Sequence, residues 1–386
     1  MARYLPTLST QSANNKQLTS WMHCCILLLG IAAFFPVCDA NGVLRPLVSA
    51  LFCFGDSTAD TGTNTYLTSP AFLANFSPYG ETFFNKPTGR FCDGRLFVDF
   101  LAQQLGLPLL RPFLEPGFNN YYRGVNFASA GSGFLPSTKT FLAGTLGTVV
   151  NIQEQLQQFM QVKANLESRM GLKDTSFLLK RSIYLVSSAS NDAIYSFLLN
   201  QTTTPEDFIS RLIVEIGNTY VALYNLGARK VIGTALGPIG CIPSIRGLSA
   251  GGSCLATVND LALAFNVQLD ALQARLKEQL PDFNLIIANN YDIFNEFIFN
   301  GTSFGFTMGS TACCGAGPFN GAIQCGTTNS NFNSTTLCSK AQLSKYVFFD
   351  NNHPTEKTYG LLAQMFMTGG AKVVKPFNVS TLALCD

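Results

Sequence analysis

The sequence predicts an α/β protein with a mainly parallel sheet that carries helices on both faces. Apolar, β-prone runs alternate with segments of helical spacing from residue 46 to residue 368, and this alternation is typical of parallel sheets. Residues 183–186 are apolar without a break, which indicates a strand buried on both sides. No repeat, low-complexity tract or linker divides the chain. We therefore expect residues 41–386 to form one domain.

Five strands are predicted from runs that are rich in apolar and β-branched residues. The first of these runs stops at Gly55. The five runs cover residues 46–54, 124–130, 182–188, 230–236 and 285–289. A further short apolar segment covers residues 347–350.

The helices are predicted from apolar residues at helical spacing, together with signals at their ends. The helix over 205–226 starts at a proline, and Gly227 is its natural C-terminal stop. The helix over 254–280 ends before Pro281. The other predicted helices cover residues 94–105, 151–170 and 354–368.

The first forty residues have the pattern of a secretory signal peptide. Arg3 and Lys16 are positively charged, residues 24–37 are uncharged and largely apolar, and residues 38–40 are small enough for signal-peptidase cleavage. The apolar stretch is shorter than the roughly 20 residues of a membrane span. We expect residues 1–40 to be removed, no stable membrane span to remain, and the protein to be secreted.

Sequons and cysteines fit an extracellular, oxidising compartment. Of the 12 cysteines, Cys24, Cys25 and Cys38 belong to the leader, which leaves an odd number and so at least one free thiol. Cys53 lies in the first strand and is expected to pack as a small apolar residue. Five Asn-x-Ser/Thr sequons are candidate glycosylation sites: Asn75, Asn200, Asn300, Asn333 and Asn378.

The remaining paired and clustered cysteines are expected to staple loops together. They are Cys241 with Cys254, and the group Cys313, Cys314, Cys325 and Cys338. A zinc site in that group is the weaker interpretation, because structural zinc sites favour paired Cys-x2-4-Cys spacings.

Composition excludes some partners and leaves others open. The formal net charge is +2, from 25 basic and 23 acidic residues, so we expect neither nucleic acid nor a polybasic membrane contact. The charged fraction is 12% and the hydrophobic fraction 47%, against roughly 25% charged residues in an average domain. Such a chain can bury a large core or line an apolar pocket.

Ser57, Asp350 and His353 have the residue types of a nucleophile, an orienting carboxylate and a general base. The chain has two histidines, and the other, His23, lies in the leader. Imidazole is the side chain that most readily exchanges a proton near neutrality. A serine hydroxyl needs such a base within hydrogen-bond reach, and the base needs an orienting partner. Asp350 precedes the histidine by three residues.

An oxyanion hole is predicted beside this group. In open α/β sheets, sites gather at the carboxyl ends of the strands, and Ser57, Gly131 and Asn191 follow the first, second and third predicted strands. Two backbone N–H groups and one side-chain amide could then hold the negative oxygen of a tetrahedral intermediate. We expect Gly131 to lack a side chain because one would crowd the substrate carbonyl.

Each short motif also has a simpler interpretation. Gly-Asp-Ser favours a turn, Asp-x-x-His-Pro could start a helix, and Asn191 could be an N-cap. Ser303 lies in a Gly-x-Ser-x-Gly match after a helical segment, where the nucleophile elbow of that motif does not form, so we expect it to be inert. No Walker loop, dinucleotide fingerprint or His-rich zinc motif is present, and no cofactor or metal is expected.

Several landmarks together resemble the plant secreted branch of the GDSL esterase/lipase family, within the SGNH hydrolases. They are Phe54-Gly-Asp-Ser57, Asn75-Phe-Ser-Pro-Tyr-Gly80, Pro87-Thr-Gly-Arg-Phe91, Gly124-Val-Asn-Phe-Ala-Ser-Ala-Gly131, Leu226-Gly-Ala-Arg-Lys230, Gly237-Pro-Ile-Gly-Cys241, Cys313-Cys-Gly315 and Asp350-x-x-His353-Pro-Thr-Glu356. The resemblance runs from about residue 48 to the end. It implies a flavodoxin-like, three-layer α/β/α fold with a central parallel sheet of about five strands.

The resemblance also implies a secreted carboxylic-ester hydrolase that works through an acyl-enzyme intermediate. Ser57, His353 and Asp350 would form its triad, and Ser57, Gly131 and Asn191 its oxyanion hole. The substrate would be a small-molecule or lipid ester, and the location the cell wall or apoplast if the source is a plant. Oligomeric state stays open.

Two positions depart from the family pattern. Thr58 stands where the family has Leu, and we expect this to change packing rather than chemistry. Ala189 stands where the family usually has Gly, and its methyl group could displace Asn191 or narrow the pocket. Two alternatives remain: an acyltransferase that uses the same acyl-enzyme with an alcohol acceptor, and a non-catalytic glycoprotein that binds a ligand.

Overall fold

A six-stranded sheet forms the centre of the computed structural model, which describes residues 46–200 and 203–385. The strands are β1 (Leu51–Gly55), β2 (Gly124–Asn126), β3 (Ile183–Ser187), β4 (Lys230–Thr234), β5 (Asn284–Ala288), β6 (Met308–Ala312), β7 (Cys314–Gly315), β8 (Thr336–Leu337), β9 (Tyr346–Phe348) and β10 (Val374–Lys375). The central sheet has the order β2-β1-β3-β4-β5-β10. Its first five strands are parallel, and β10 is antiparallel to β5.

The order of the five parallel strands is that of flavodoxin-like proteins, which confirms the predicted fold class. The chain moves outward from β1 to β2, then crosses back to β3 on the other side of β1. Ligand sites of such sheets lie at this reversal, outside the carboxyl ends of the strands. Strand register places Gly55 at the end of β1 opposite Ser187 at the end of β3.

The sixth strand was not predicted, and the last apolar segment lies outside the central sheet. β10 has two residues, too few for a pattern of alternation. β9 pairs in parallel with β6 in a separate two-stranded sheet. His353 therefore reaches the site from a neighbouring sheet, not from the edge of the central one.

The helices occupy most of the predicted segments. They are α1 (Phe97–Gln104), α2 (Pro136–Thr145), α3 (Ile152–Lys180), α4 (Pro205–Leu226), α5 (Pro243–Arg246), α6 (Ala256–Gln279), α7 (Asn290–Phe299), α8 (Lys340–Leu343), α9 (Glu356–Thr368) and α10 (Val379–Leu384). α4 has the predicted bounds, with Pro205 in its first turn and Gly227 in the left-handed conformation after it. α3 continues ten residues beyond its predicted end at Met170 because the helix resumes after the non-helical Gly171.

Alternate residues of the strands point to two separate cores, one on each face of the sheet. Phe52 and Phe54 of β1 pack against Phe159 of α3, whereas Leu51 and Cys53 point to the face covered by α1 and α9. This alternation gives the three layers of the fold. Cys53 is fully buried, as predicted for a small apolar residue.

Residues from Leu47 onward form one compact unit. The predicted leader, residues 1–40, lies outside the described residues. Within the described part, no helix is both long and apolar enough to cross a membrane.

All six clustered cysteines are disulfide-bonded, which confirms the loop staples and shows that the zinc alternative is wrong. The pairs are Cys241–Cys254, Cys313–Cys338 and Cys314–Cys325. Cys53, Cys92 and Cys385 are free thiols.

Four of the five sequon asparagines are exposed, and the fifth is half-buried. The half-buried one, Asn378, accepts a hydrogen bond from the Thr381 N–H at the start of α10. The others are Asn75, Asn200, Asn300 and Asn333.

Candidate active site

The turn after β1 presents Ser57 at the carboxyl edge of the sheet. Gly55 has φ +156°, and a Cβ there would lie 2.2 Å from the Ser187 carbonyl oxygen, so glycine is required. Asp56 is buried, and its Oδ1 accepts the N–H of Thr58 at 2.9 Å and the Thr58 hydroxyl at 2.7 Å. These bonds fix the turn and leave Ser57 half-buried.

Thr58 therefore contributes more than the change in packing that was predicted. Burial raises the pKa of Asp56, and the two hydrogen bonds from Thr58 oppose that rise. A leucine at this position could give only the backbone bond.

His353 lies between Ser57 and Asp350. Its Nε2 is 2.7 Å from the Ser57 Oγ, and its Nδ1 is 2.7 Å from Oδ1 and 2.9 Å from Oδ2 of Asp350. His353 is 6% exposed and Asp350 is fully buried, and the centroids of the Phe91 ring and the imidazole lie 4.9 Å apart. The three side chains that the sequence singled out thus form one hydrogen-bonded row.

The turn from Asp350 to His353 holds the carboxylate as well as the imidazole. Oδ1 of Asp350 also accepts the backbone N–H groups of Asn352 at 2.9 Å and of His353 at 2.7 Å. Burial alone would raise the pKa of Asp350, but His353, Tyr79 and the Asn352 N–H outweigh it and hold the pKa below its usual value. Asp350 is therefore an anion at neutral pH.

Tyr79 is a site residue for which the sequence predicted no role. Its hydroxyl donates to Oδ2 of Asp350 at 2.6 Å. Burial, followed by the charge of Asp350, raises the pKa of Tyr79 far above its usual value, so the phenol stays protonated. The only sequence signal was its place in the landmark from Asn75 to Gly80.

The predicted oxyanion donors lie around the same cleft. Ser57, Gly131 and Asn191 all line it together with His353. Asn191 precedes a π-helical turn, Asp192–Leu198, and makes no side-chain cap, so the N-cap interpretation of this residue is wrong. Its amide nitrogen donates one hydrogen to the Ser132 carbonyl at 2.9 Å, and an amide nitrogen carries two.

Gly131 is required by its own surroundings in the protein. Its φ is +88°, and a Cβ would lie 2.9 Å from Val149 Cγ1 and 3.0 Å from the Phe72 ring. The backbone conformation and the crowding of protein atoms are enough to require glycine, and the expected crowding of a substrate carbonyl stays a prediction.

Ala189 has a positive φ of 97° and is buried. A positive φ suits glycine, which explains the glycine expected from the family pattern. The described residues that line the cleft include Asn191 but not Ala189, so the methyl group of Ala189 does not itself narrow the cleft. Displacement of Asn191 by this methyl group stays a prediction.

Ser303 lies on an exposed 3-10 turn, Gly301–Phe304, that follows α7. Its hydroxyl donates to the Asn300 carbonyl at 3.0 Å. No strand leads into this turn, so the nucleophile elbow is absent here, as predicted.

The cleft has a volume of about 330 Å³ and is mainly apolar. No lysine or arginine is among its described lining residues. Its apolar lining includes Phe72, Phe91, Ile194, Tyr195, Ile239, Ile242, Phe294, Ile298, Ile323 and Phe348. Such a cleft suits an uncharged ligand with an apolar part.

The chain is similar to known proteins over most of its length. Residues 51–366 match the family described as GDSL-like Lipase/Acylhydrolase. The chain is similar to three proteins of Arabidopsis thaliana. It is 36% identical to "GDSL esterase/lipase 4" over 352 residues, 88% of this chain and 91% of that protein. It is 34% identical to "GDSL esterase/lipase 6" over 370 residues (93% and 95%) and 37% identical to "GDSL esterase/lipase 5" over 347 residues (87% and 87%).

Proposed function

Since the chain belongs to the GDSL-like lipase/acylhydrolase family and is a serine ester hydrolase, we propose that Ser57 is its nucleophile, His353 its general base and Asp350 the carboxylate that orients His353. The observation that carries this assignment is the row of hydrogen bonds from Ser57 Oγ through the imidazole to Asp350. The same arrangement activates serine on several unrelated folds.

Acylation begins when Ser57 Oγ attacks the ester carbonyl carbon. The hydroxyl proton moves to Nε2 of His353, and the resulting imidazolium is stabilised by the anionic Asp350 at Nδ1. The carbonyl oxygen becomes an oxyanion. When the tetrahedral intermediate collapses, the bond to the alcohol oxygen breaks and that oxygen takes the proton from His353.

Deacylation repeats these steps with water as the nucleophile. His353 removes a proton from water, the hydroxide attacks the acyl carbon, and the proton returns to Ser57 Oγ as the acid leaves. In both halves the N–H groups of Ser57 and Gly131 and the amide of Asn191 hold the oxyanion, and each donor contributes about 10²–10³ in rate.

Labelling with a fluorophosphonate probe tests the nucleophile directly. Loss of fluoride and formation of an O–P bond should place one adduct on Ser57, located by peptide mass spectrometry. Ser57→Ala should take up no label. A stoichiometric adduct on another serine would contradict the assignment, and the absence of labelling in the folded wild type would favour the non-catalytic alternative.

The substrate is a small-molecule ester, and we infer that it is uncharged with an apolar acyl or aromatic group. The apolar cleft and its lack of lysine and arginine support this inference. A series of p-nitrophenyl esters from short to long chains measures the preferred length. The same assay with an added alcohol distinguishes water from an alcohol acceptor, because a transferase would form the new ester.

We further infer that the protein is secreted, glycosylated and free of nucleic-acid partners. Three disulfides and four exposed sequons support an oxidising, extracellular compartment, and a net charge of +2 gives no reason to expect a polyanion partner. Expression in a eukaryotic secretory host should yield protein in the medium with its first residues removed. Its mass should fall on treatment with an N-glycosidase. Retention inside the cell without glycans would contradict the inferred secretion and the inferred glycosylation.

A further inference from the structure

A closed ring of contacts connects Asp350 to a disulfide outside the row of Ser57, His353 and Asp350. The ring begins at Oδ2 of Asp350, which accepts the Tyr79 hydroxyl at 2.6 Å. Tyr79 is 1% exposed, and its ring packs against Phe76, Phe91 and Phe349. The phenol is therefore held from its sides and directed at the carboxylate.

Gln324 fixes the direction of this hydrogen bond. Its amide nitrogen donates to the Tyr79 oxygen at 3.0 Å and to the Leu73 carbonyl at 2.7 Å. An amide N–H can only donate, so the Tyr79 oxygen accepts from Gln324 and its own hydrogen is left for Asp350. Gln324 itself lies at the wall of the cleft.

The Cys314–Cys325 disulfide closes the ring. Cys325 follows Gln324 in the chain and is bonded to Cys314, and both cysteines are buried. The N–H of Cys314 donates at 2.7 Å to the carbonyl of Phe349, the residue before Asp350. The disulfide thus ties β7, which is hydrogen-bonded to the residue before Asp350, to the loop that carries Gln324.

We propose that Tyr79 and Gln324 are positioning residues that hold the carboxylate of Asp350 for His353, and that the Cys314–Cys325 disulfide keeps Gln324 within reach of Tyr79. This inference rests on the proposed function, since holding Asp350 matters only if Asp350 orients the general base.

The Tyr79 hydroxyl matters because Oδ2 of Asp350 has fewer hydrogen-bond partners than Oδ1. Oδ1 has three partners in the Asp350–His353 turn, whereas Oδ2 has the Tyr79 hydroxyl and the longer 2.9 Å contact to Nδ1. Without the hydroxyl, Oδ2 would keep only the longer contact, and rotation of the carboxylate about its Cβ–Cγ bond would be restrained mainly from the Oδ1 side. Small losses of alignment in a catalytic group cost large factors in rate.

Tyr79→Phe is the primary test, because it removes the hydroxyl and keeps the ring contacts. A hydrogen bond to a charged group is lost, so kcat should fall about 10- to 100-fold, while KM stays unchanged. The low-field proton resonance of the His353 Nδ1–H should also shift. A kcat within two-fold of wild type and an unmoved resonance would overturn the proposal.

Non-additivity tests whether Gln324 and the disulfide act through Tyr79. Gln324→Met should lower kcat about 3- to 10-fold in the wild-type background and have no effect on kcat in the Tyr79→Phe background. The double variant Cys314→Ser/Cys325→Ser should behave in the same way. Cys241→Ser/Cys254→Ser is the matched control, and its effect should add to that of Tyr79→Phe.

Additive effects of Gln324→Met and Tyr79→Phe would overturn the proposal that Gln324 acts through Tyr79, even if the cysteine variant fails to fold.

Failure of the proposed catalytic function would give a different set of results. If Ser57→Ala kept wild-type activity, the triad and this inference would both be wrong. If Ser57→Ala were inactive while Tyr79→Phe matched wild type, only this inference would be wrong.

Discussion

Asp350→Asn tests whether a charge, and not only a hydrogen-bond acceptor, orients His353. The new amide must place its oxygen at the Oδ1 position, because the N–H groups of Asn352 and His353 point there and cannot turn away. The NH2 group then takes the Oδ2 position, 2.9 Å from Nδ1 of His353. The amide oxygen at Oδ1 still lies 2.7 Å from Nδ1, but the neutral amide no longer stabilises the imidazolium, and the N–H donor at the Oδ2 position favours the tautomer whose proton lies on Nε2, facing Ser57.

That tautomer cannot accept the serine proton, so kcat/KM should fall about 10⁴-fold, the size of effect seen when a triad aspartate elsewhere is replaced by asparagine. The assay is hydrolysis of the best p-nitrophenyl ester, with Asp270→Asn, a surface carboxylate paired with Lys375, as the control. A loss below about ten-fold would refute the reasoning, because a 1.4 kcal/mol effect is within reach of a single neutral hydrogen bond.

The remaining predictions concern stability and pH. Ala189→Gly should raise the free energy of unfolding by about 1 kcal/mol, because glycine adopts a positive φ without strain. The measurement is urea unfolding, in which the midpoint should rise while the m value stays constant. An unchanged midpoint would contradict the strain at Ala189. Because the folded pKa of Asp350 lies below its usual value of 3.8, its ionised form contributes stability at higher pH that is lost as the pH falls through the folded pKa. Wild type should therefore lose more unfolding free energy than Asp350→Asn between about pH 4 and about pH 2, and parallel losses would contradict this.

The sheet was predictable because most of its parallel strands contain an apolar run. Burial on both faces removes polar residues from the strand, so β1, β3, β4 and β5 stand out from the helices between them. β10 and the pairing of β6 with β9 depend on contacts between distant segments and leave no local pattern. The π-helical turn at Asp192–Leu198 was not predicted either.

The candidate site was predictable where chemistry restricts the residue type. The chain has one histidine outside the leader, with an aspartate three residues before it, and this pattern identified His353 and Asp350. The ends of the predicted strands identified Ser57 and Asn191. Tyr79 could not be found in this way, since its contact spans 271 residues and tyrosines are common in cores. The sequence showed that Ala189 departs from the family pattern, but only the structure shows that this residue has a positive φ.

Hydrolysis by Ser57→Ala and Ser303→Ala, measured beside wild type on the same ester series, tests the central claim most directly. Both variants remove one serine hydroxyl from a motif that contains glycine, yet only Ser57 lies 2.7 Å from the His353 Nε2. Ser57→Ala should lose about 10⁶ in kcat, with Ser303→Ala equal to wild type. Activity that survives in Ser57→Ala, or that is lost in a folded Ser303→Ala, would contradict the assignment of Ser57 as the nucleophile.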